Sequence, residues 1–588
     1  MSTPDLCLVS AAGGSVFMEE LFEVVADAVR RAGGRARTVV GPFPEPGPDT
    51  VYVVVPHEYF YVAPVADRPS DELRRRTVAF CVEHPGTMTF ERTADLLPSL
   101  AAGVDINVDS TAELRARGMA VEHFQLGYTP LWDRWGGDPD SARSVDVTYL
   151  GTAERRRSLL LDRYAEDLDD LRVRLLTPPH EPMGPQRVDF LPGEAKFRHL
   201  ADSRILLNLH RGRSTALEWV RVLEAMINGC VVVTEPSTDV EPMVPGKHLV
   251  MASAGSLGAA AAALAAVPER ERELRLSGYD FVTNGLDLLG SAKTLVDVAA
   301  DVLKGSASPA PLPALPTPQQ EQAVRPLAVD TPSWDPRFAG AASAARTADD
   351  AEALAVRLAV ERMAFARRGA GRQWYDRFPA GSGSGVDVLV VQQPGEPDPD
   401  PLLFDLINGT VRPDRLLVCA DGVPLSAGSP ATAVLHHEIR LGLGEARAGL
   451  LERSGADRLL VLDAGFRASR HLLERLLAAD ADVAHCPVGD PVEGLVGALP
   501  PEERRLAELP YLGAGYLVRR EVVDRLGGWV TDPLLDGLED HVFWRHVVRA
   551  GRSTALVQQV LLRRLRPDPP VRPLDLDPRG SWERALEA

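Results

Sequence analysis

The sequence predicts an α/β protein: two Rossmann-like, doubly wound parallel-sheet domains in succession, a linker, and a further α/β domain. Three observations predict it. Through residues 1–305, apolar runs of strand length alternate with longer helical patterns. A segment rich in proline, alanine and serine, KGSASPAPLPALPTPQQ, then reads as a linker. The strand and helix pattern resumes after PAGSGSG. A chain of 588 residues is too long for one core, since a domain usually takes roughly 100–200 residues. The boundaries fall at 1–140, 141–305, 306–380 and 381–575.

In the first domain, DLCLVSA reads as a strand and FMEELFEVVADAVRRAGG as a helix stopped by glycine. ARTVVG, TVYVVVP and TVAFCVE read as strands, and VDINVDS with TAELRARG as a strand and a capped helix. In the second domain SVDVTYLG, LRVRLLT, SRILLNLHR and HLVMA read as strands, and a helix near 286–303 closes the domain. LEWVRVLEAMINGCVVVTE reads as an amphipathic helix, a glycine stop and a buried strand. Residues 347–368 read as a charged helix within the linker region. In the last domain VDVLVVQQ, DRLLVCADG, DRLLVLDAG and ADVAHCPVG read as strands.

Composition narrows the function. A content of 45% hydrophobic and 25% charged residues is that of a soluble globular protein. A formal charge of −19 argues against a nucleic-acid partner, which would select a basic surface. It leaves room for an anionic small ligand held by local arginines. The five cysteines lack metal-type spacing and sit in apolar runs, so they read as buried free thiols. The N-terminus has no basic region followed by an apolar core, and LGAAAAALAAV is too short to span a bilayer. The expectation is a cytoplasmic protein without a transmembrane segment.

Glu224 is the residue that breaks the pattern. At about 100° per residue it falls inside the apolar arc of Leu217, Trp219, Val220, Val222, Leu223, Met226 and Ile227. A buried unpaired carboxylate is costly. Either its tip reaches water at the edge of the arc, or a ligand in a cleft uses it. Ligands of open α/β sheets bind beyond the carboxyl ends of the strands. YLGTAERRR places Gly151, Thr152, Arg155, Arg156 and Arg157 at such an end, and LNLHRGRST places His210, Arg211 and Arg213 at another. Arginines beside a helix N-terminus suit a phosphate-bearing ligand. The plainer readings are solvated helix starts for the arginines, a structural His210, and a surface pair for Glu218 and Arg221.

LEWVRVLEAMINGCVVVTE with MVPGKHLV resembles the donor-binding half of GT-B glycosyltransferases of the family 4 type, closest to their spore-maturation-type bacterial relatives. VDVTYLGTAERRR and SRILLNLHR match the start of that half and the strand before its donor helix. The resemblance implies that residues 1–140 hold the acceptor and 141–305 a nucleotide-sugar, with no metal. It implies that Glu224 binds the ribose hydroxyls, that Gly229 is the glycine after the helix, and that Arg155, His210, Arg211 and Arg213 serve the donor. The wider family often carries a second glutamate eight residues earlier, where this sequence has Ala216, which leaves the sugar-side contact to His210, Arg211 or Arg213. His57, Glu58, Glu83 and His84, at strand ends of the first domain, are the acceptor-side candidates.

In the last domain Asp463 ends a strand, and Glu539 and Asp540 open a helix; each alone could be a turn or cap residue. In order, the segments resemble GT-A glycosyltransferases of the family 2 type. LLVCADG matches the strand ending in the nucleotide-contacting acid, Asp421. GLGEARAGLLERSGADRLLVLDAG supplies Gly444, the nucleotide-side Arg447 and the metal-binding Asp463. GAGYLVRREVVDRLGGW matches the acceptor-side segment, and LEDHVFWR the segment of the catalytic base. The resemblance implies in-line displacement at the anomeric carbon, with Asp540 as general base, Glu539 beside it, and Mg²⁺ or Mn²⁺ at Asp463 neutralising the leaving diphosphate. The usual second acid two positions on is Gly465 here, which implies a weakened metal site. The expectation is a bifunctional glycosyltransferase acting on a glycan, metabolite or protein. The alternatives are a chain with only the GT-B module active, and a non-catalytic carbohydrate- or nucleotide-binding scaffold.

Overall fold

The computed structural model describes residues 3–152, 154–178, 191–211, 215–305, 309–315, 371–379, 381, 383–424, 426, 428–532, 535–565 and 578–588. The chain divides into two compact units. One comprises Met1–Thr152 and Leu171–Val329, and the other Ala153–Asp170 and Asp330–Ala588.

The first unit is built on two wholly parallel sheets. Strands β1 (Asp5–Ser10), β2 (Arg35–Val40), β3 (Thr50–Val54), β4 (Thr77–Cys81), β5 (Ala102–Asp105) and β6 (Val121–His123) lie in the order β2-β1-β3-β4-β5-β6. Strands β7 (Val145–Leu150), β8 (Val173–Leu176), β9 (Ser203–Asn208), β10 (Val231–Thr234) and β11 (Val250–Met251) lie in the order β11-β10-β9-β7-β8. Parallel sheets are covered on both faces, which is why their strands read as unbroken apolar runs. The sheet order reverses between β1 and β3 in one sheet and between β7 and β9 in the other, and crevices open at such switch points.

One apolar cluster runs through both halves of this unit, from Leu8 and Phe22 to Trp219, Val222 and Leu223. The helix Leu288–Leu303 belongs to it. Its stripe of Leu288, Ala292, Leu295, Ala299 and Val302 packs against the helix Val16–Arg31 and the first sheet, instead of closing the second half as expected. The proline-rich segment also starts on the first half. Arg74 Nη1 donates to the Ala310 carbonyl at 2.9 Å, and Leu312 and Leu315 pack against the apolar cluster that includes Tyr59 and Phe60.

The second unit holds a mixed eight-stranded sheet and a small four-stranded one. The larger contains β12 (Arg372–Asp376), β13 (Val386–Gln392), β14 (Arg415–Asp421), β15 (Ala433–His437), β16 (Arg458–Asp463), β18 (Val483–His485), β21 (Tyr516–Arg519) and β22 (Thr554–Leu556), in the order β12-β15-β14-β13-β16-β21-β18-β22. The strands β12 and β21 run against the rest. The smaller contains β17 (Phe466–Ala468), β19 (Val488–Asp490), β20 (Gly494–Val496) and β23 (Leu562–Arg564), in the order β17-β23-β19-β20. The edge strand β12 lies within the span expected to be linker; the charged helix expected at 347–368 lies outside the described residues.

Residues 153–170, expected in the second Rossmann-like domain, are part of this second unit. Their helix, Arg155–Tyr164, packs on β19 and β20, where Gly489 and Gly494 let Asp162 and Ser158 approach the strand backbone. Arg563 Nε pairs with Asp162 at 3.2 Å. All five cysteines are free and buried, as composition indicated.

Candidate functional site

Two crevices gather the chemistry. The first is the β7/β9 switch point. Asn208 ends β9 fully buried; its amide donates to Thr234 Oγ1 at 3.0 Å, and its Oδ1 accepts Arg221 Nη1 at 3.1 Å. This anchors a half-buried guanidinium at the mouth of the crevice. Gly151 directly follows β7, and a Cβ there would stand 2.6 Å from Tyr149 Oη and 3.3 Å from Arg221 Nη2. Arg221 is thus more than half of a surface pair: Glu218 approaches it only at 3.8 Å.

Glu224 sits one turn along the same helix, Trp219–Ile227, and is 5% exposed. Its carboxylate is paired. Lys196 Nζ, on the helix Gly193–Ala201, donates to Glu224 Oε1 at 2.6 Å and to Glu20 Oε2 at 2.6 Å. Glu20 comes from the first half, so the ion triad joins the two halves of this unit. Lys196 is only 1% exposed and also lies over the rings of Phe17 and Phe197. Burial pushes the Glu224 carboxyl up while Lys196 draws it back. Burial works against the Lys196 charge, but Glu224 and Glu20 outweigh it and hold the ammonium up.

The other predicted donor residues are dispersed. His210 is buried; its N–H donates to Glu235 Oε1 at 2.8 Å, and its Nε2 lies 3.2 Å from Ser237 Oγ. Arg211 is half-buried on the same loop, and Arg213 lies outside the described residues. Arg155 belongs to the second unit, where its Nη2 donates to the Val492 carbonyl at 3.2 Å. Gly229 has φ +70° and closes the helix, with its N–H to Met226 and that of Cys230 to Ala225. A Cβ at Gly229 would lie 2.5 Å from both Arg143 and Trp135, so the structure gives it a packing role.

Ahead of the helix Trp219–Ile227, Asp239 Oδ1 accepts the Leu217 N–H at 2.6 Å and burial pushes this carboxyl up. A cavity of about 500 Å³ opens beside it, lined from the first half by Pro85, Asp109 and Glu113 and from the second by Thr215, Ala216 and Thr238. Of the acceptor-side candidates, His57 Nε2 faces Glu83 Oε1 at 3.4 Å, and its Nδ1 lies 3.1 Å from Thr93. His84 precedes the cavity-lining Pro85, while Glu58 accepts the Ser15 N–H at the β1/β3 switch point.

The second crevice is the β13/β16 switch point of the eight-stranded sheet. Asp463 ends β16 there, and Arg447 rises from the helix Leu443–Arg453. Arg447 is fully buried and grips Asp540 with two bonds, of 2.7 and 3.0 Å; it stands 3.4 Å from Asp463. Burial opposes its charge, yet Asp540, Tyr516 and Asp463 together hold the guanidinium above its usual range. Asp421, at the end of β14, is fully buried. It accepts Leu441 N–H, Gly442 N–H, Gln393 Nε2 and His437 Nδ1 at 2.7–3.1 Å. These donors hold it below the usual carboxylate range against its burial. It organises the turn before the Arg447 helix. Glu539 is buried too, accepting the backbone N–H of Gly537 at 2.6 Å and of Gly444 at 3.3 Å. A Cβ at Gly444 would run into the Val530 carbonyl, so this turn requires glycine.

Asp463 is the residue that could hold a divalent ion. The donor set beside it does not fit one: Asp540 is engaged through both oxygens, and position 465 offers no side chain. Among the described residues, the one group of three potential ligands within mutual reach is Asp169, Asp170 and His471, elsewhere in this unit.

Residues 155–297 match the family model described as glycosyl transferase-like. The match likens this segment to glycosyl transferases. It covers β9, Arg221, Glu224 and β10, hence much of the first crevice. No curated protein matches the chain in sequence. Among solved structures, S. aureus TarS residues 1–349 is 16% identical, with 31% of this chain and 60% of that one covered and a TM-score of 0.26. TarM is 8% identical, with 43% and 55% covered and a TM-score of 0.31. Sucrose-phosphate synthase from Thermosynechococcus elongatus is 12% identical, with 52% and 100% covered and a TM-score of 0.36. This chain therefore spans less than two thirds of the TarS and TarM chains, and such scores bear on neither ligand nor mechanism. Among the described residues no helix is long and apolar enough to cross a membrane.

Sequence reasoning missed Lys196, Asn208 and Asp239. Lys196 carried a signal: on a helix whose Phe197 and Leu200 are apolar, it shares their buried side. Asp239 carried none, because its role depends on a chain turn 22 residues from Leu217.

Proposed function

We propose that residues 1–152 and 171–305 form a GT-B-type module that binds a nucleotide-sugar at the β7/β9 crevice and transfers its sugar to an acceptor in the cavity beside Asp109 and Thr238. The observation that carries the reading is the coincidence of the glycosyl transferase-like segment with a switch-point crevice that presents an anchored arginine. In this reading Arg221 faces the diphosphate, whose charge a guanidinium meets with paired N–H donors. Glu224 accepts the ribose hydroxyls by exchanging its bond to Lys196. Residues 381–575 form a GT-A-type module, supported by the placement of Asp463 at the end of β16 with Asp540 close by. The acceptor is a glycan, metabolite or protein.

A second reading keeps transfer in the first module alone and makes the last domain an accessory. It is favoured by the double engagement of Asp540 with Arg447, which ties up the general base. Titration calorimetry of the full chain with UDP-, GDP- and ADP-sugars tests both. Arg221→Ala and Glu224→Gln should each weaken one binding event about tenfold or more. Unchanged affinity in both variants would sink the assignment of the β7/β9 crevice. A second event, insensitive to these variants, supports two donor sites; a single event supports the accessory reading.

A further inference from the structure

The Arg447 guanidinium stands where the charge balance of the β13/β16 crevice is set. It is a fixed group. Asp540 takes both of its terminal nitrogens, at 2.7 and 3.0 Å, and Trp529 lies 5.7 Å from its centre. Asp540 is fixed in turn, since Tyr516 Oη donates to its Oδ1 at 3.0 Å and Trp529 Nε1 holds that hydroxyl at 2.7 Å. The remaining approach is Asp463 Oδ1, 3.4 Å from Arg447 Nη2. One cation therefore already bridges the two carboxylates that a metal would bring together.

A divalent ion here would need Asp540, which is engaged, or an acid at position 465, which is glycine. It would also lie beside a buried guanidinium, and burial lowers the dielectric that would screen their repulsion. Arg440, 2.6 Å from Asp536 and 3.4 Å from Gln393 just after β13, adds a second cation near this strand end. We propose that the β13/β16 crevice of the last domain holds no divalent ion and that Arg447 is its resident cation, so that its binding of the nucleoside-diphosphate part of a donor is metal-independent. The proposal rests on the GT-A-type reading given above.

The test uses Mn²⁺ as the probe and the full-length protein, with free Mn²⁺ followed by electron paramagnetic resonance. Wild type and Asp463→Asn should bind Mn²⁺ identically, because no site depends on Asp463. Arg447→Met, which releases both carboxylates, should gain a site that disappears in the Arg447→Met/Asp463→Asn double variant. A wild-type Mn²⁺ site lost in Asp463→Asn would overturn the proposal. So would a folded Arg447→Met protein that gains no site. The comparison of wild type with Asp463→Asn stands even if Arg447→Met does not fold. Calorimetry with UDP and GDP adds the ligand arm: affinity should agree within about twofold between EDTA and Mn²⁺ buffers, and a tenfold gain in Mn²⁺ refutes the proposal. Absence of nucleotide binding to this domain in either buffer would instead remove the GT-A-type reading, while the Mn²⁺ comparison still judges the resident cation.

Discussion

Lys196 holds two carboxylates from two halves of one unit, so Lys196→Met should expose what the triad contributes. Its ammonium, 1% exposed, lies 2.6 Å from Glu224 and 2.6 Å from Glu20. Removing one partner of a buried ion pair costs about 3–5 kcal/mol, because the charge left behind is uncompensated. At about 2 °C per kcal/mol for a unit of this size, the melting temperature should fall by about 6–10 °C. The loss should depend on pH. Without Lys196, burial and the neighbouring Glu20 charge raise the Glu224 carboxyl above the unfolded value of about 4.3 with no cation to draw it back. A raised acid contributes stability below its unfolded pKa and loses it as pH rises through its folded pKa. The deficit of Lys196→Met should therefore be larger at pH 8 than at pH 5. Adding Glu224→Gln and Glu20→Gln should recover most of it. Scanning calorimetry of the full chain at the two pH values is the assay. A fall of less than about 2 °C, or an equal deficit at both pH values, would refute the account, since about 1 kcal/mol is what an exposed pair contributes.

Two further outcomes follow from local geometry. Gly229→Ala should destabilise the first unit by about 2–4 kcal/mol in thermal unfolding, because alanine meets both the φ of +70° and the approach of Trp135 and Arg143 at 2.5 Å; a shift under about 0.5 kcal/mol would contradict this packing. In the second unit, burial holds the imidazoles of His485 and His541 down at about 3. They fold neutral, so their contribution is full above the unfolded pKa of about 6.5 and is lost as pH falls toward about 3, at up to about 1.4 kcal/mol per pH unit each. His541→Phe keeps a ring against Trp582, now 5.1 Å away, and should make urea midpoints between pH 7 and pH 5 fall less steeply; parallel curves would show that His541 is not the group responsible.

The periodicity of the sequence determined most strands of the two parallel sheets, the amphipathic helix of the first crevice and its glycine stop; it did not mark β6, and VDINVDS, read as a strand, holds only the end of β5 before the helix Val108–Ala116 begins. Those features depend on neighbours a few residues apart, and apolar spacing records which face of an element is buried. Asp463 could be placed at a strand end for the same reason. Periodicity does not record what an element is buried against. Glu224 could be recognised as a carboxylate in an apolar arc, yet its partner Lys196 lies 28 residues away and Glu20 lies in the other half, so only the packed halves decided its pairing. The helix Arg155–Tyr164 has the same pattern whichever sheet it covers, and the structure gives it to β19 and β20 in the second unit. The stripe of Leu288–Leu303 likewise settles on the first half of its unit. Arg447 could be read as a ligand-binding arginine, but the bidentate hold of Asp540, from 93 residues later in the chain, made it the fixed cation between two acids. Charge pairing over such separations is decided by distance and desolvation in the folded chain, and no local spacing encodes either.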